Sequence, residues 1–265
     1  MELLPDIIAN YQVRHFWDSG AVNDICGYRA FIEAISQEAQ AVYHSALFNF
    51  GNHPVNFAAK TCYGQDLLAV NILLPHGSKI NHDPVVLAPG VSMKILHADG
   101  SKHGGFNENS IVMRLDFGQN RILFMGDAEA GGRADPETPP VGHSIEGILL
   151  ACCLSELRVN VLIVGHHGSK TSSRAAFLNA VGAKQFVISS GPMKYGSVVL
   201  PDAPVVQALE SRGTLFRTDL NDQTCGQNQA KIGPDNDGKA GGCDNVRIIL
   251  SNNAPPAITY LRVSD

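Results

Sequence analysis

The sequence predicts an α/β fold in which two sheets are sandwiched between helices, an αββα sandwich. Two observations indicate this fold. Strand-like and helix-like segments alternate along the chain. In addition, two short aliphatic runs, each typical of a strand buried on both faces, break at a glycine. A chain of 265 residues with 44% hydrophobic content can bury a large core, so we expect one domain over residues 1–265.

The individual elements follow from local patterns. Helical spacing of apolar residues predicts helices over Tyr28–Ala39, Ser144–Leu157, a segment from Ser172 or Ser173 to Val181, and Pro204–Ser211. Apolar and alternating runs predict strands over Gln12–Trp17, Val42–Phe48, Leu67–Leu74, Val91–Leu96, Val161–Val164, Gln185–Ser189 and Thr214–Arg217. Two hairpins are predicted, Asn109–Phe117 with Arg121–Met125 and Val246–Leu250 with Ala257–Val263. Irregular backbone is expected over Ala130–Val141 and Leu220–Gly242.

Charge and hydropathy narrow the classes of partner. The net charge is −5 and the pI is about 6.0, so there is no basic footprint of the kind that binds nucleic acid. No apolar run approaches the roughly 20 residues that cross a bilayer, and Glu2 follows Met1 where an export signal would carry a basic residue. The sequence therefore predicts no membrane association, and it leaves the compartment open: cytoplasmic unless the cysteines indicate export.

The six cysteines indicate the opposite compartment. Cys225 and Cys243 bracket a loop rich in Gly, Asn and Asp, where a disulfide would reduce the entropy of the unfolded chain. Cys26 and Cys62 are candidates for a second bridge, whereas Cys152–Cys153 lies in an apolar helical pattern and is interpreted as small core residues. Disulfides imply an exported parent protein, which conflicts with the missing signal unless the chain is a fragment.

A carboxylate and two imidazoles follow the two buried strands. Asp127 comes directly after Arg121–Met125 and a glycine, and His166 and His167 come after Val161–Val164 and a glycine. The end of a buried strand holds an ionisable side chain rigidly while leaving its tip open to solvent. Adjacent imidazoles point in opposite directions and are seldom both satisfied in a core, so a site role is predicted for both. The alternative for Asp127 is a turn residue.

Three motifs, Asn107–Ser110, Gly126–Asp127 and His166–Ser169, together resemble part of a known family. They are similar to the C-terminal half of a metallo-β-lactamase-fold domain, of the kind found in competence proteins of the ComEC type and their free-standing hydrolase relatives. The resemblance covers most of Met1–Asp219 and leaves 220–265 as a loop and a terminal hairpin. It implies a metal-dependent hydrolase that attacks an ester, lactone or phosphodiester of a small-molecule substrate with metal-activated water. Zn²⁺ is the first ion expected and Mn²⁺ the second.

The resemblance also implies roles for individual residues. Asp127 aligns with the aspartate that bridges two metal ions in family members that bind two. His166 and His167 are the expected ligands or proton donors, and the sequence leaves open which is which. These three residues are the predicted catalytic and metal-binding group.

Four further residues are weaker candidates for substrate contact. Asn109 lies at the third motif of the family, or else holds the start of a strand by hydrogen bonds. Tyr195 aligns with a Tyr-Gly-His-Pro element whose histidine is replaced here. Ser169 and Lys170 precede a helix whose free N–H groups attract an anion, unless Ser172–Ser173 simply cap that helix.

The principal departure from the family is the H-x-H-x-D-H segment of its N-terminal half, which supplies most of the ligands. It is absent, because no two histidines of this sequence are separated by one residue. We therefore expect either a piece of a longer enzyme or a chain completed by a partner or a second copy, which would also cover an exposed sheet edge.

Two alternative functions stay open beside hydrolysis. One is a non-catalytic half-domain or pairing module without a complete metal site. The other is a DNA-directed nuclease, for which the acidic charge leaves only a local patch of Arg121, Arg133, Lys170 and Arg174.

Overall fold

The computed structural model describes residues 4–38, 40–47, 54–74, 77–101, 103–191, 194–195, 197–220 and 246–260. The chain divides into two compact units, Met1–Asn81 with Ala98–Asn109 and His82–His97 with Ser110–Asp265. Each unit has its own buried core. The single domain expected over 1–265 stays a prediction.

The described residues of the first unit form two helices and a parallel three-stranded sheet in which Val42–Ser45 lies between His15–Asp18 and Gly77–Lys79. Its elements are α1 (Leu4–Asn10), β1 (His15–Asp18), α2 (Cys26–Gln37), β2 (Val42–Ser45), β3 (Pro54–Phe57), β4 (Lys60–Cys62), β5 (Gln65–Leu67), β6 (Val70–Leu73) and β7 (Gly77–Lys79). Phe31, Ile32 and Ile35 form the buried stripe of α2, as the helical spacing predicts. They pack with residues of β1, β2, β3 and β6 to form the core.

The second unit is built on a mixed seven-stranded sheet in the order β16-β13-β12-β11-β10-β9-β8. Its elements are β8 (Val85–Ala88), β9 (Val91–His97), β10 (Val112–Phe117), β11 (Asn120–Phe124), α3 (Ile145–Cys152), β12 (Val161–Ile163), α4 (Ala175–Val181), β13 (Gln185–Ile188), β14 (Lys194–Tyr195), β15 (Val198–Val199), α5 (Ala203–Glu210), β16 (Thr214–Arg217), β17 (Val246–Ser251) and β18 (Ala254–Tyr260). Strands β11, β12, β13 and β16 are parallel neighbours, and the others join antiparallel. The predicted α/β class is therefore confirmed.

The two faces of this sheet bury different elements because successive side chains of a strand point to opposite sides. One face carries Leu123, Leu162 and Phe186 and packs against α3, α4 and α5. The other face carries Ile122, Val161 and Val187 and packs against the β17–β18 hairpin. The central strands are thus buried on both faces, as their aliphatic runs predict. None of the helices in the described part of the chain has the length and apolar composition that a bilayer crossing requires.

The cysteines differ from the sequence-based expectation in one pair. Cys26 and Cys62 form a disulfide with a Cα–Cα distance of 5.6 Å, which confirms the second predicted bridge. The interpretation of Cys152–Cys153 as core residues is wrong, because the two are disulfide-bonded to each other at the exposed end of α3. Apolar composition alone did not reveal this surface position. Cys225 and Cys243 lie outside the described residues.

Helix α4 is capped by a residue that the sequence did not indicate. Neither Ser172 nor Ser173 caps it through a side-chain hydrogen bond, so that prediction is wrong. Instead the carboxylate of Glu146, from α3, accepts the backbone N–H groups of Ser173 and Arg174. A carboxylate that binds the two residues just before the helix also interacts favourably with the positive end of the helix dipole. Ser144, by contrast, caps α3 as predicted by accepting from the Gly147 N–H.

Candidate functional site

The sheet brings Asp127 and His167 together. Because β11 and β12 are parallel neighbours with Phe124 opposite Ile163, their carboxyl ends meet at one edge of the sheet. Asp127 follows β11 and His167 follows β12, and Asp127 Oδ1 lies 3.4 Å from His167 Nε2. The side chains are 44% and 38% exposed, so solvent and a small ligand can reach both.

Backbone hydrogen bonds hold the two loops in register. The His166 N–H donates to the Gly126 carbonyl at 2.9 Å, and the Asp127 N–H donates to Ser110 Oγ at 3.1 Å. His166 and His167 adopt left-handed backbone angles, with φ of 46° and 54°. For residues other than glycine this conformation costs about 1–2 kcal/mol each, and such cost is concentrated at functional sites.

The hydrogen bond on the far side of the His167 ring fixes its chemistry. His167 Nδ1 lies 2.6 Å from the Ser189 carbonyl, which can only accept, so Nδ1 carries the proton. A neutral ring then directs the Nε2 lone pair at the Asp127 carboxylate, and two electron-rich atoms 3.4 Å apart repel. A proton or a cation between them removes the repulsion. The pair is therefore a ready-made cation-binding or proton-holding arrangement.

His166 is oriented towards different partners. Its Nδ1 lies 2.9 Å from Glu129 Oε1 and 2.7 Å from Thr171 Oγ1. The two imidazole rings are 6.2 Å apart. The structure thus separates the two predicted histidines: His167 faces the predicted Asp127, whereas His166 faces Glu129, which was not predicted.

The donor types fit a divalent metal ion, but their number does not. Imidazole nitrogen and carboxylate oxygen are the ligands that Zn²⁺ takes, and a zinc site in a protein uses at least about three of them. Across the residues that the structure describes, no group of three or more His, Cys, Asp or Glu side chains has the geometry to hold a metal. Asp127 and His167 alone do not complete a metal site.

Ser169 and Lys170 serve the loop rather than a free anion site. Ser169 is 1% exposed, and its hydroxyl contacts Arg133 and Thr171. The Lys170 N–H donates to Asp202 at 2.8 Å. Together with the hydrogen bonds to Glu146, these bonds engage the backbone N–H groups of Lys170, Ser173 and Arg174. A substrate role for either residue has no support from this arrangement.

Asn109 and Tyr195 stay predictions. Asn109 belongs to the first unit, in a short 3₁₀ helix (Phe106–Asn109), where its amide donates to the carbonyls of Asp99 and Ser101 at 2.7 and 2.9 Å. Hydrogen bonding is thus its observed role, although in a loop rather than at a strand start. Tyr195 lies in β14, paired with Val198, and its side chain is outside the described residues.

Sequence reasoning missed two residues of the site, Glu129 and Ser189. Glu129 lies two positions after Asp127 at the same strand end, so its position alone could have indicated it. Ser189 contributes only its backbone carbonyl, which no side-chain pattern reveals.

No model of a protein family matches the chain. Over 134 residues, 50% of its length, the chain is 33% identical to Competence protein ComA of Neisseria gonorrhoeae. Over 102 residues, 38% of its length, it is 33% identical to Recombination protein 2 of Haemophilus influenzae. The chain spans 17% of the length of the first relative and 11% of the second. The predicted likeness to competence proteins is therefore confirmed over half of the chain.

A solved structure from Thermotoga maritima is also similar, one described as a zinc-dependent hydrolase of the metallo-β-lactamase superfamily. It is 14% identical, and the match covers 66% of this chain and 80% of that chain with a TM-score of 0.31. A score this low carries no argument about the fold of this chain.

Proposed function

We propose that this chain contributes Asp127 and His167 to the site of a metallo-β-lactamase-type hydrolase acting on an ester, lactone or phosphodiester. The observation that carries the proposal is the 3.4 Å contact between Asp127 Oδ1 and a His167 Nε2 whose proton is held on the opposite nitrogen. The strand-end position and the similarity to a competence protein support it.

The residues of the chain have definable tasks in such a site. The Ser189 carbonyl fixes the tautomer of His167, so Nε2 can accept a proton or bind a cation. The Asp127 carboxylate supplies negative charge beside it. Glu129 and His166 form a neighbouring pair that can hold a second proton.

The proposed site needs donors beyond these two residues. A divalent ion, Zn²⁺ before Mn²⁺, would lower the pKa of a bound water in a complete site. The further ligands would come from outside the described residues or from another chain, either a partner or a second copy. That complement would also complete the αββα sandwich, of which the described sheet, its helices and the β17–β18 hairpin form one part.

The proposal is tested by assaying the chain, with added Zn²⁺ or Mn²⁺, against a chromogenic ester, a lactone and a phosphodiester. We expect turnover of one class, and a loss of about 10²–10⁴-fold in Asp127→Ala and in His167→Ala. His143→Ala is the matched control, because His143 is an exposed histidine outside the site. Equal rates in the wild type and Asp127→Ala would refute the assignment.

The second candidate is a non-catalytic half-domain that pairs with another chain. The observation that favours it is that, among the residues described, no group of three or more His, Cys, Asp or Glu side chains could hold a metal ion. Metal analysis of the purified chain separates the two candidates. Stoichiometric metal together with turnover eliminates the half-domain, whereas a metal-free and inert chain supports it.

A DNA-directed nuclease is a third candidate, favoured by similarity to a competence protein and a recombination protein. Three of the four basic residues that the sequence suggested as a DNA-binding patch are buried or paired with carboxylates. Arg174 is 2% exposed and donates to backbone carbonyls. Arg133 and Arg121 pair with Asp202 and Asp116. Hydrolysis of DNA at a rate matching that of a small phosphodiester would restore this candidate.

A further inference from the structure

The carbonyl that contacts His167 belongs to a peptide group whose other side is bound by Thr218. His167 Nδ1 lies 2.6 Å from the Ser189 carbonyl. The second half of the same peptide group is the Ser190 N–H, which donates to Thr218 Oγ1 at 2.8 Å. Because this peptide group is planar and trans, its C=O and N–H point in opposite directions, and a bond that fixes the N–H also fixes the C=O. Thr218 therefore sets the direction of the carbonyl that His167 meets.

Thr218 can do this because it extends the pairing of two parallel strands. The ladder between β13 and β16 ends with Ile188 opposite Arg217, and the Thr218 N–H adds a bond to the Ile188 carbonyl at 3.1 Å. One step further, Thr218 Oγ1 accepts the Ser190 N–H and donates its own proton to the Ser190 carbonyl at 2.6 Å. Thr218 thus binds the chain on both sides of Ser189.

The direction of the Ser189 carbonyl matters because two acceptors compete for one proton of His167. A neutral imidazole carries its proton on one nitrogen only. On Nδ1 the proton is bound by the Ser189 carbonyl, and on Nε2 it would be directed at Asp127 Oδ1, 3.4 Å away. An ionised carboxylate is the stronger acceptor of the two. Nε2 therefore keeps its lone pair only while the Ser189 carbonyl stays in place.

We propose that Thr218 is a positioning residue, which holds His167 in the tautomer with its proton on Nδ1 and acts through the Ser189–Ser190 peptide group. The hydroxyl carries this role, since it is the atom that binds the Ser190 N–H. Hydrogen bonds in a chain polarise one another, so the bond to Thr218 also strengthens the carbonyl as an acceptor. The use of this tautomer in hydrolysis rests on the function proposed above, whereas the tautomer itself does not.

The tautomer is read directly from the full chain, labelled at the nitrogens of its histidine rings. Long-range proton–nitrogen spectra in alkaline, metal-free buffer, in which imidazoles are neutral, show which ring nitrogen carries the proton. The signals that disappear in His167→Ala belong to His167. We expect the form with the proton on Nδ1 to be the main species in the wild type. In Thr218→Val, which keeps the branched shape without the hydroxyl, the form with the proton on Nε2 should become the main species.

Two further variants and one measurement on the wild type complete this experiment. Thr218→Ser keeps the hydroxyl and should restore the wild-type tautomer. Thr214→Val is the matched control, because Thr214 is exposed at the opposite end of β16. It should leave the spectrum unchanged. In the wild type, the Ser190 amide should be protected from hydrogen exchange. Exchange as fast as in an unfolded chain would overturn the proposal even if Thr218→Val did not fold.

The hydrolysis assay described above gives a second readout. Thr218→Val should lower the rate by about tenfold, and it should lower it no further in the His167→Ala background, since both changes act through one ring. A folded Thr218→Val that keeps the proton on Nδ1 would overturn the proposal, and so would an equal tenfold loss in the His167→Ala background. A changed tautomer in a chain without turnover would support the role of Thr218 and count against the proposed hydrolase.

Discussion

Glu146 is a buried carboxyl group whose charge depends on pH. Its side chain is 1% exposed, and its oxygens accept the N–H groups of Ser173 and Arg174. Removal from water raises the pKa from 4.5 to about 7, although the two hydrogen bonds and the Arg174 charge act in the opposite direction. The cap of α4 therefore changes its charge near neutral pH.

This shift predicts how stability varies with pH. A raised folded-state pKa stabilises the fold fully below the unfolded value and loses that effect as pH rises through the folded value. The free energy of unfolding should thus fall by about 3 kcal/mol between pH 4.5 and 7. In Glu146→Gln, which cannot ionise, most of this fall should disappear. Urea unfolding at several pH values measures it.

The matched control is Glu156→Gln. Lys94 and Arg114 bind Glu156 and hold its pKa below the ordinary range, so its contribution is lost only on acidification. Between pH 4.5 and 7, the free energy of unfolding of Glu156→Gln should fall as steeply as that of the wild type. Below pH 4.5 the two proteins should differ in their pH dependence. An unchanged slope in Glu146→Gln would contradict the account of the α4 cap.

The segment Gly165–Gly168, which carries both histidines, is held by a glycine with no room for a side chain. Gly168 has φ of +75°, and a Cβ added to it would lie 2.7 Å from Pro201 Cβ and 3.0 Å from Ile188 Cδ1. Both the backbone angle and the contacts therefore demand glycine.

Gly168→Ala should destabilise the second unit by about 1–3 kcal/mol, because the left-handed angle and the overlap each carry a cost. It should also reduce any hydrolytic rate by displacing His167. Gly104→Ala is the control, because a Cβ there meets no atom within 4 Å. The melting temperatures of both variants are measured by thermal unfolding. Equal melting temperatures for Gly168→Ala and Gly104→Ala would contradict the steric argument.

Elements with a strong local pattern were predictable, and those set by tertiary contacts were not. Thr214–Arg217 has the predicted bounds, and Ser144 caps its helix, because both follow from side chains close in sequence. Strand β7 was not among the predicted strands, because its parallel pairing with β2, rather than a local pattern, decides its structure. The Glu146 cap comes from a residue 27 positions before Ser173, a distance that local patterns do not cover.

In the candidate functional site, too, local patterns were predictable and tertiary contacts were not. Residue types at strand ends were enough to predict Asp127, His166 and His167 as candidates. Which imidazole faces the carboxylate depends on the left-handed turn and on the Ser189 carbonyl, and neither has a sequence pattern. The sequence could therefore predict the residues but not their pairing.

In the molecule as a whole, the two units differ in how covalent links support them. The Cys26–Cys62 disulfide closes a loop of sequence separation 36 in the first unit. Cys152–Cys153, in the second unit, joins adjacent residues and closes almost no loop. Of the two disulfides in the described part of the chain, the Cys26–Cys62 bridge should therefore contribute more to stability, and its loss should affect mainly the first unit.

We expect the double substitution Cys26→Ser with Cys62→Ser to lower the unfolding free energy of the first unit by about 4 kcal/mol, from the loop-entropy relation. Trp17 fluorescence reports this unit, and hydrogen exchange of β11 and β12 reports the second. An equal loss of stability in both units would contradict the conclusion that the Cys26–Cys62 disulfide stabilises mainly the first unit.

The central claim is that Asp127 and His167 act as one chemical unit. A double-mutant cycle on the hydrolysis rate, with Asp127→Ala, His167→Ala and the combined variant, tests it most directly. Because residues that act together are non-additive, the combined variant should lose no more activity than the worse single variant. Losses that multiply, or single variants as fast as the wild type, would contradict the claim.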